Sequence, residues 1–199
     1  MTATLNRLAR RLPVSALYII GALPPFILLY MGATGGLGVE PIEALEHELG
    51  GLGLKALIVT LAITPLRRFV GLNMIRFRRA FGLLTFYYIC CHLLVWLFLD
   101  VQIAGQIWAD ILKRPYITIG MAAWALMVPL AVTSNNHSIR FLGPRWRQLH
   151  RLTYGVAILG AIHFVMLRKG FQLEPLIYLT VILALVALRM VPKRKPLAV

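Results

Sequence analysis

The chain has 199 residues, 59% of them apolar and 14% charged, with a mean hydropathy of +0.77. Soluble domains run at roughly 45–50% apolar and about 25% charged. Composition therefore excludes a soluble globule, a disordered tail and a nucleic-acid module, despite a formal net charge of +14. It predicts an all-α integral membrane protein forming a single domain over 1–199.

Residues 1–11 carry Arg7, Arg10 and Arg11 but lead to no small-residue cleavage site, so they read as a flank and not as a removed signal peptide. A span needs about 20 predominantly apolar residues. Six runs meet that need, at approximately 13–32, 51–67, 80–99, 115–134, 150–168 and 173–190. The last two are short and rely on snorkelling basic residues at their ends. The glycines around 35–38 lack phosphate-loop spacing and mark a turn. Segment 41–50 is expected to be a separate amphipathic helix, with Pro41 in its first turn and Gly50 at its end. Its Ile42, Leu45 and Leu49 are expected on the bilayer surface, and His47 in solvent among glutamates. His137, in a polar loop, is also expected to be solvated. Adjacent Cys90 and Cys91 offer neither a disulfide framework nor a zinc site and read as packing residues.

Six spans place both termini on one side. That side collects Arg7, Arg10, Arg11, Arg67, Arg68, Arg76, Arg78, Arg79, Arg140, Arg145, Arg147, Arg151, Arg189, Lys193, Arg194 and Lys195, sixteen of the 21 basic residues, while all seven acids fall on the other. This asymmetry follows the positive-inside rule and predicts cytoplasmic termini in a multi-pass membrane protein. The arginines then need no nucleic-acid partner; membrane lipid is partner enough.

Ionisable residues inside spans are costly and are functional hypotheses by default. His92 lies thirteen residues beyond Arg79, and His163 thirteen beyond His150. At about 1.5 Å per residue both deep histidines sit roughly 20 Å from the inner edge. Two imidazoles at matched depth on neighbouring helices suit the axial positions of a haem iron. Histidines that serve only helix packing, in a cofactor-free scaffold or transporter, are the competing reading. His150 marks an inner site with Arg78, Arg79, Arg147 and Arg151 as candidate propionate binders. Arg168 and Lys169 are candidates for an outer propionate, a partner or simple anchoring. Tyr87, Tyr88, Trp96 and Trp124 are pocket candidates, although packing accounts for most such aromatics.

The stretches RFRRAFGLL (76–84), KRPYITIG (113–120) and GPRWRQLHRLTYGVAILGAIHF (143–164), with the His92 span and the GGLGVEP turn (35–41), resemble the MsrQ (YedZ) family. Its members are haem-binding membrane subunits of bacterial periplasmic methionine sulfoxide reductase systems. More distantly the chain is similar to the ferric reductase-like transmembrane domain, in which paired histidines on two spans hold two stacked b haems. Here Arg78 stands at the inner position of the first span, so the resemblance implies haem b, one or two. It also implies FMN, a periplasmic molybdopterin partner (MsrP), and electrons drawn from the quinone pool or a cytoplasmic flavin reductase. The few residues after the last span leave no room for a nicotinamide domain, so reducing equivalents are expected from a separate donor. A b-type cytochrome subunit of another quinone-linked oxidoreductase, or a minimal ferric reductase, is the alternative circuit.

Overall fold

The computed structural model describes residues 2–167 and 172–191, which form helices and no strand. The expectations placed on Arg168, Lys169, Lys193, Arg194 and Lys195 lie outside the described residues. In chain order the helices are α1 (Thr2–Arg11), α2 (Val14–Ala33), α3 (Pro41–Pro65), α4 (Arg78–Val95), α5 (Ala104–Lys113), α6 (Pro115–Val132), α7 (Asn136–Leu142), α8 (Pro144–Leu149), α9 (Leu152–Leu167) and α10 (Leu173–Met190). π-Helical turns extend α3 over Leu66–Val70 and α4 over Trp96–Val101. Among the described residues six helical stretches are long and apolar enough to cross a bilayer: Val14–Ala33, Pro41–Val70, Ile75–Val101, Pro115–Val132, Pro144–Leu167 and Leu173–Met190. The chain is a multi-pass membrane protein.

Segment 41–50 corrects the sequence reading. It is no separate surface helix; α3 runs unbroken from Pro41 to Pro65. Leu45 and Leu49 are buried against Val95, Leu28, Leu37 and Cys91, and only Ile42 is exposed. Half-buried His47 also has a partner. The amphipathic pattern is real, but its apolar face meets protein and not lipid. Gly50 does not end the helix, because its flanks pack on a neighbour.

The core lies where α3, α6, α9 and α10 meet, around Leu54, Leu57, Leu61, Met127, Val156, Ala157, Ala161 and Ile182. Lipid provides no hydrophobic drive between helices, so small residues that permit close approach do the work. Ala157 and Ala161 give α9 such a face and are fully buried. Gly53 plays that part between α3 and α4, and Gly21 between α2 and α4: a Cβ on either would lie 2.5 Å from Ile89 or Leu84.

Prolines inside spans free the carbonyl four residues earlier, and a bilayer leaves no water to satisfy it. Pro25 does this to Gly21, whose oxygen accepts the buried Tyr88 hydroxyl at 2.6 Å; Tyr87 donates to Ala22 O at 3.1 Å. Both hydroxyls therefore tie α4 to α2. Tyr88→Phe is expected to cost about 1–2 kcal/mol in thermal unfolding while leaving any bound chromophore's spectrum unchanged.

The basic segments share one end of the bundle and fasten to one another. Asn6 bridges Gly71 O (2.9 Å) and Asn73 N (2.8 Å), Arg76 donates to Arg10 O (2.7 Å), Arg68 to Val191 O (2.5 Å), and Arg79 to Asn136 Oδ1 (2.9 Å). Arginines at this end thus hold α1, the α3–α4 turn, α7 and the end of α10 together. At the opposite, acidic end α5 exposes Trp108 and Leu112, and Asp110 pairs with Arg114 at 3.2 Å.

Candidate functional site

Four helices build the site as two matched pairs. From α4, His92 Nδ1 lies 2.9 Å from Glu46 O on α3; from α9, His163 Nδ1 lies 2.7 Å from Tyr116 O on α6. A carbonyl only accepts, so each Nδ1 carries the hydrogen and each Nε2 keeps its lone pair. The two rings meet across the bundle nearly perpendicular to each other, with centroids 6.4 Å apart and planes at 78°. The structure thus brings together the two histidines singled out by depth.

What fits between them is decided by the donor set. Two imidazoles that held one metal through bonds of about 2 Å, each ring centroid about 1.2 Å behind its nitrogen, would stand about 6 Å apart by centroid. Among the described residues no three His, Cys, Asp or Glu side chains gather as a metal site. A zinc or copper ion held by protein alone is short of ligands here, whereas a haem macrocycle brings four nitrogens of its own and asks for two. Two buried side-chain atoms among the described residues also have no hydrogen-bond partner, Glu46 Oε1 and Trp124 Nε1. Glu46 lies one turn before Gly50 on α3, and Trp124 one turn after Gly120 on α6, on the faces that meet the histidines. The residues fit a haem.

The surroundings of His163 reach the acidic surface. The Tyr116 ring centroid is 6.1 Å from that of His163, and its hydroxyl accepts from Arg114 at 3.3 Å. This hydrogen bond, with Asp110 close by, raises the Arg114 guanidinium above its ordinary value. Pro115 starts α6, which fixes where the Tyr116 carbonyl points.

His150 stands apart, where α8 meets α9, thirteen residues from His163. Its Nε2 is 3.1 Å from Thr133 Oγ1 and its ring stacks on Trp146 (3.9 Å, 26°), which donates to Thr133 O at 2.9 Å. Arg78, Arg147 and Arg151 are exposed at this end, and Arg79 is engaged with Asn136. Arg78 lies within electrostatic range of both His150 and Arg189. His137 is exposed and stacked on Phe141.

Sequence reasoning missed Glu46, Tyr116, Gly50 and Gly120, and it counted Arg189 only as a charge. Arg189, on α10, donates through Nε to Leu61 O (2.9 Å) and through Nη2 to Thr60 O and Thr64 Oγ1 (both 3.1 Å). Leu61 is four residues before Pro65, which has no N–H to offer it. That spacing was a readable signal.

The family described as "Ferric reductase like transmembrane component" matches residues 49–161. The chain is 48% identical over 177 residues to the "Protein-methionine-sulfoxide reductase heme-binding subunit MsrQ" of Agrobacterium fabrum (strain C58 / ATCC 33970), covering 88% of this chain and 82% of the relative. It is 52% identical over 180 residues to the protein of the same name from Rhizobium meliloti (strain 1021), covering 90% and 83%. With the Brucella anthropi protein of that name the figures are 46% over 187 residues, 92% and 85%. No solved structure matches. A six-span bundle that brings two imidazoles to 6.4 Å by centroid, with these relatives along nearly its whole length, belongs to the MsrQ family of ferric reductase like transmembrane components.

Proposed function

We propose that this chain is the haem-binding membrane subunit of a protein-methionine-sulfoxide reductase, holding a b haem between His92 and His163 and delivering electrons to a periplasmic molybdopterin partner, MsrP. The observation that carries the reading is the opposed imidazole pair, 6.4 Å apart by centroid, with both Nδ1 atoms on helix carbonyls. When bound, haem iron supplies a one-electron couple. The chain's own residues do the rest. Glu46 and Tyr116 carbonyls lock the tautomer and the ring angle, which raises the basicity of each Nε2. Buried Leu49, Val95 and Ala161 keep water from the helices that carry the pair.

The basic end is assigned to the cytoplasm by the positive-inside rule, which puts the histidine pair near the periplasmic face, where the partner docks. Electrons enter from the quinone pool or a cytoplasmic flavin reductase. Around His150 a second anionic group is proposed, because Arg78 stands within electrostatic range of it and the charge pattern of the sequence assigns all seven acids to the other side. The propionates of an inner haem, with His150 as a ligand and Arg78, Arg79, Arg147 or Arg151 as charge partners, meet that need. The FMN implied by family resemblance would meet it through its phosphate.

The test is direct. Protein purified from haem-replete cells is expected to give a b-type pyridine haemochrome, and its reduced form to reoxidise on adding MsrP with methionine sulfoxide. A colourless preparation, or a reduced spectrum unmoved by MsrP, rules the assignment out.

A further inference from the structure

Each histidine of the pair binds a carbonyl that a helix has already used. In an α-helix the oxygen of residue i accepts the N–H of residue i+4, so Glu46 O is engaged by Gly50 and Tyr116 O by Gly120. A carbonyl has two lone pairs, but an ordinary side chain at i+4 crowds the approach to the second. Here both i+4 positions are glycine. A Cβ on Gly120 would lie 2.9 Å from His163 Nδ1 and 3.0 Å from its Cε1, at or inside the closest approach that real Cβ atoms make. A Cβ on Gly50 would lie 3.5 Å from His92 Nδ1 and 3.6 Å from Cε1, in ordinary contact. The same arrangement thus occurs twice, across α3–α4 and across α6–α9, over sequence separations of 46 and 47 residues.

We propose that Gly50 and Gly120 are positioning residues: each opens the flank of a helix carbonyl so that a histidine from the facing helix bonds there through Nδ1 and presents Nε2 inward. This rests on the reading of His92 and His163 as the axial pair. It also explains why two glycines, each a cost of about 1 kcal/mol in a helix interior, sit in membrane spans at these places. Gly82, in the second turn of α4 with nothing within 4 Å of its would-be Cβ, has no such contact and serves as the control.

The experiment compares haem per polypeptide, the low-spin to high-spin ratio by electron paramagnetic resonance, and the thermal midpoint in purified holoprotein. Gly120→Ala is expected to push the His163 ring off Tyr116 O, weakening haem retention about tenfold and converting low-spin signal to high-spin. Gly50→Ala is expected to keep the wild-type spectrum, because its Cβ fits; Gly50→Val, with methyls reaching further into the His92 ring, is expected to behave like Gly120→Ala. Gly82→Ala is expected to keep the wild-type haem content and spin state, with a thermal midpoint no lower than wild type. A double-mutant cycle separates positioning from general packing: the thermal cost of Gly120→Ala should vanish when His163 is alanine. An equal cost in both backgrounds, or wild-type spin state in both Gly120→Ala and Gly50→Val, overturns the proposal. His163→Ala separates the two layers of the argument. If it keeps the wild-type haem spectrum, the axial assignment itself fails; if it loses that spectrum while the glycine variants do not, only the positioning role fails.

Discussion

Replacing His163 or His92 by alanine is expected to remove the six-coordinate, low-spin haem signal and to lower haem per polypeptide by more than the 10- to 100-fold that losing an orienting partner costs. The two variants should be equally severe, because each imidazole sits on one carbonyl and faces the other ring. The fold should survive both, since Glu46 O and Tyr116 O keep their intrahelical partners when the ring is gone. His150→Ala should behave differently. Its ring is stacked on Trp146 and bonded to Thr133, away from the pair, so the signal of the outer pair should persist while any inner component disappears. Absorption and electron paramagnetic resonance spectra of the three variants, normalised to protein, decide the matter. Loss of the outer signal in His150→Ala would contradict two separate sites.

Arg189→Ala should be among the most destabilising substitutions in the chain that touch neither histidine of the pair. Arg189 ties α10 to α3 through three hydrogen bonds, and its guanidinium carbon lies 5.7 Å from the centroid of the Tyr154 ring. Removing it strands the Leu61 carbonyl, because Pro65 cannot donate and Leu61 is fully buried. An unsatisfied buried carbonyl costs about 1–3 kcal/mol, and the other lost bonds add about 0.6 kcal/mol each by membrane double-mutant cycles. The expected total is about 3 kcal/mol, read as a lower thermal midpoint in detergent. Arg189→Lys should recover only part of it, since an ammonium cannot span the Leu61 and Thr64 acceptors with a planar fork. The outer spectrum should change in neither variant below its melting transition. A thermal midpoint unchanged in Arg189→Ala would mean that another donor satisfies Leu61.

Both arguments turn on carbonyls, and that is where the sequence becomes hard to read. Apolar runs, the segregation of charge and the depth of His92 and His163 are local or additive properties. Each can be counted along the chain, and each led to the six-helix bundle and the histidine pair. Segment 41–50 was misjudged because an amphipathic stripe reads the same whether lipid or another helix covers it. Pro25 and Pro65 each announce an orphan carbonyl four residues earlier, but not that Tyr88 and Arg189 answer them.

The sequence by itself determined that this protein crosses a membrane six times with its basic segments together at one end, because transfer to lipid depends on the summed polarity of each segment. It also determined that two imidazoles lie deep within that bundle. Only the tertiary structure decided which carbonyls those rings bind, that Gly50 and Gly120 make room for them, and that Arg189 reaches α3 from a helix 128 residues further on. Such contacts depend on how whole helices rotate and approach one another, and no periodicity within a single helix encodes its neighbour's face.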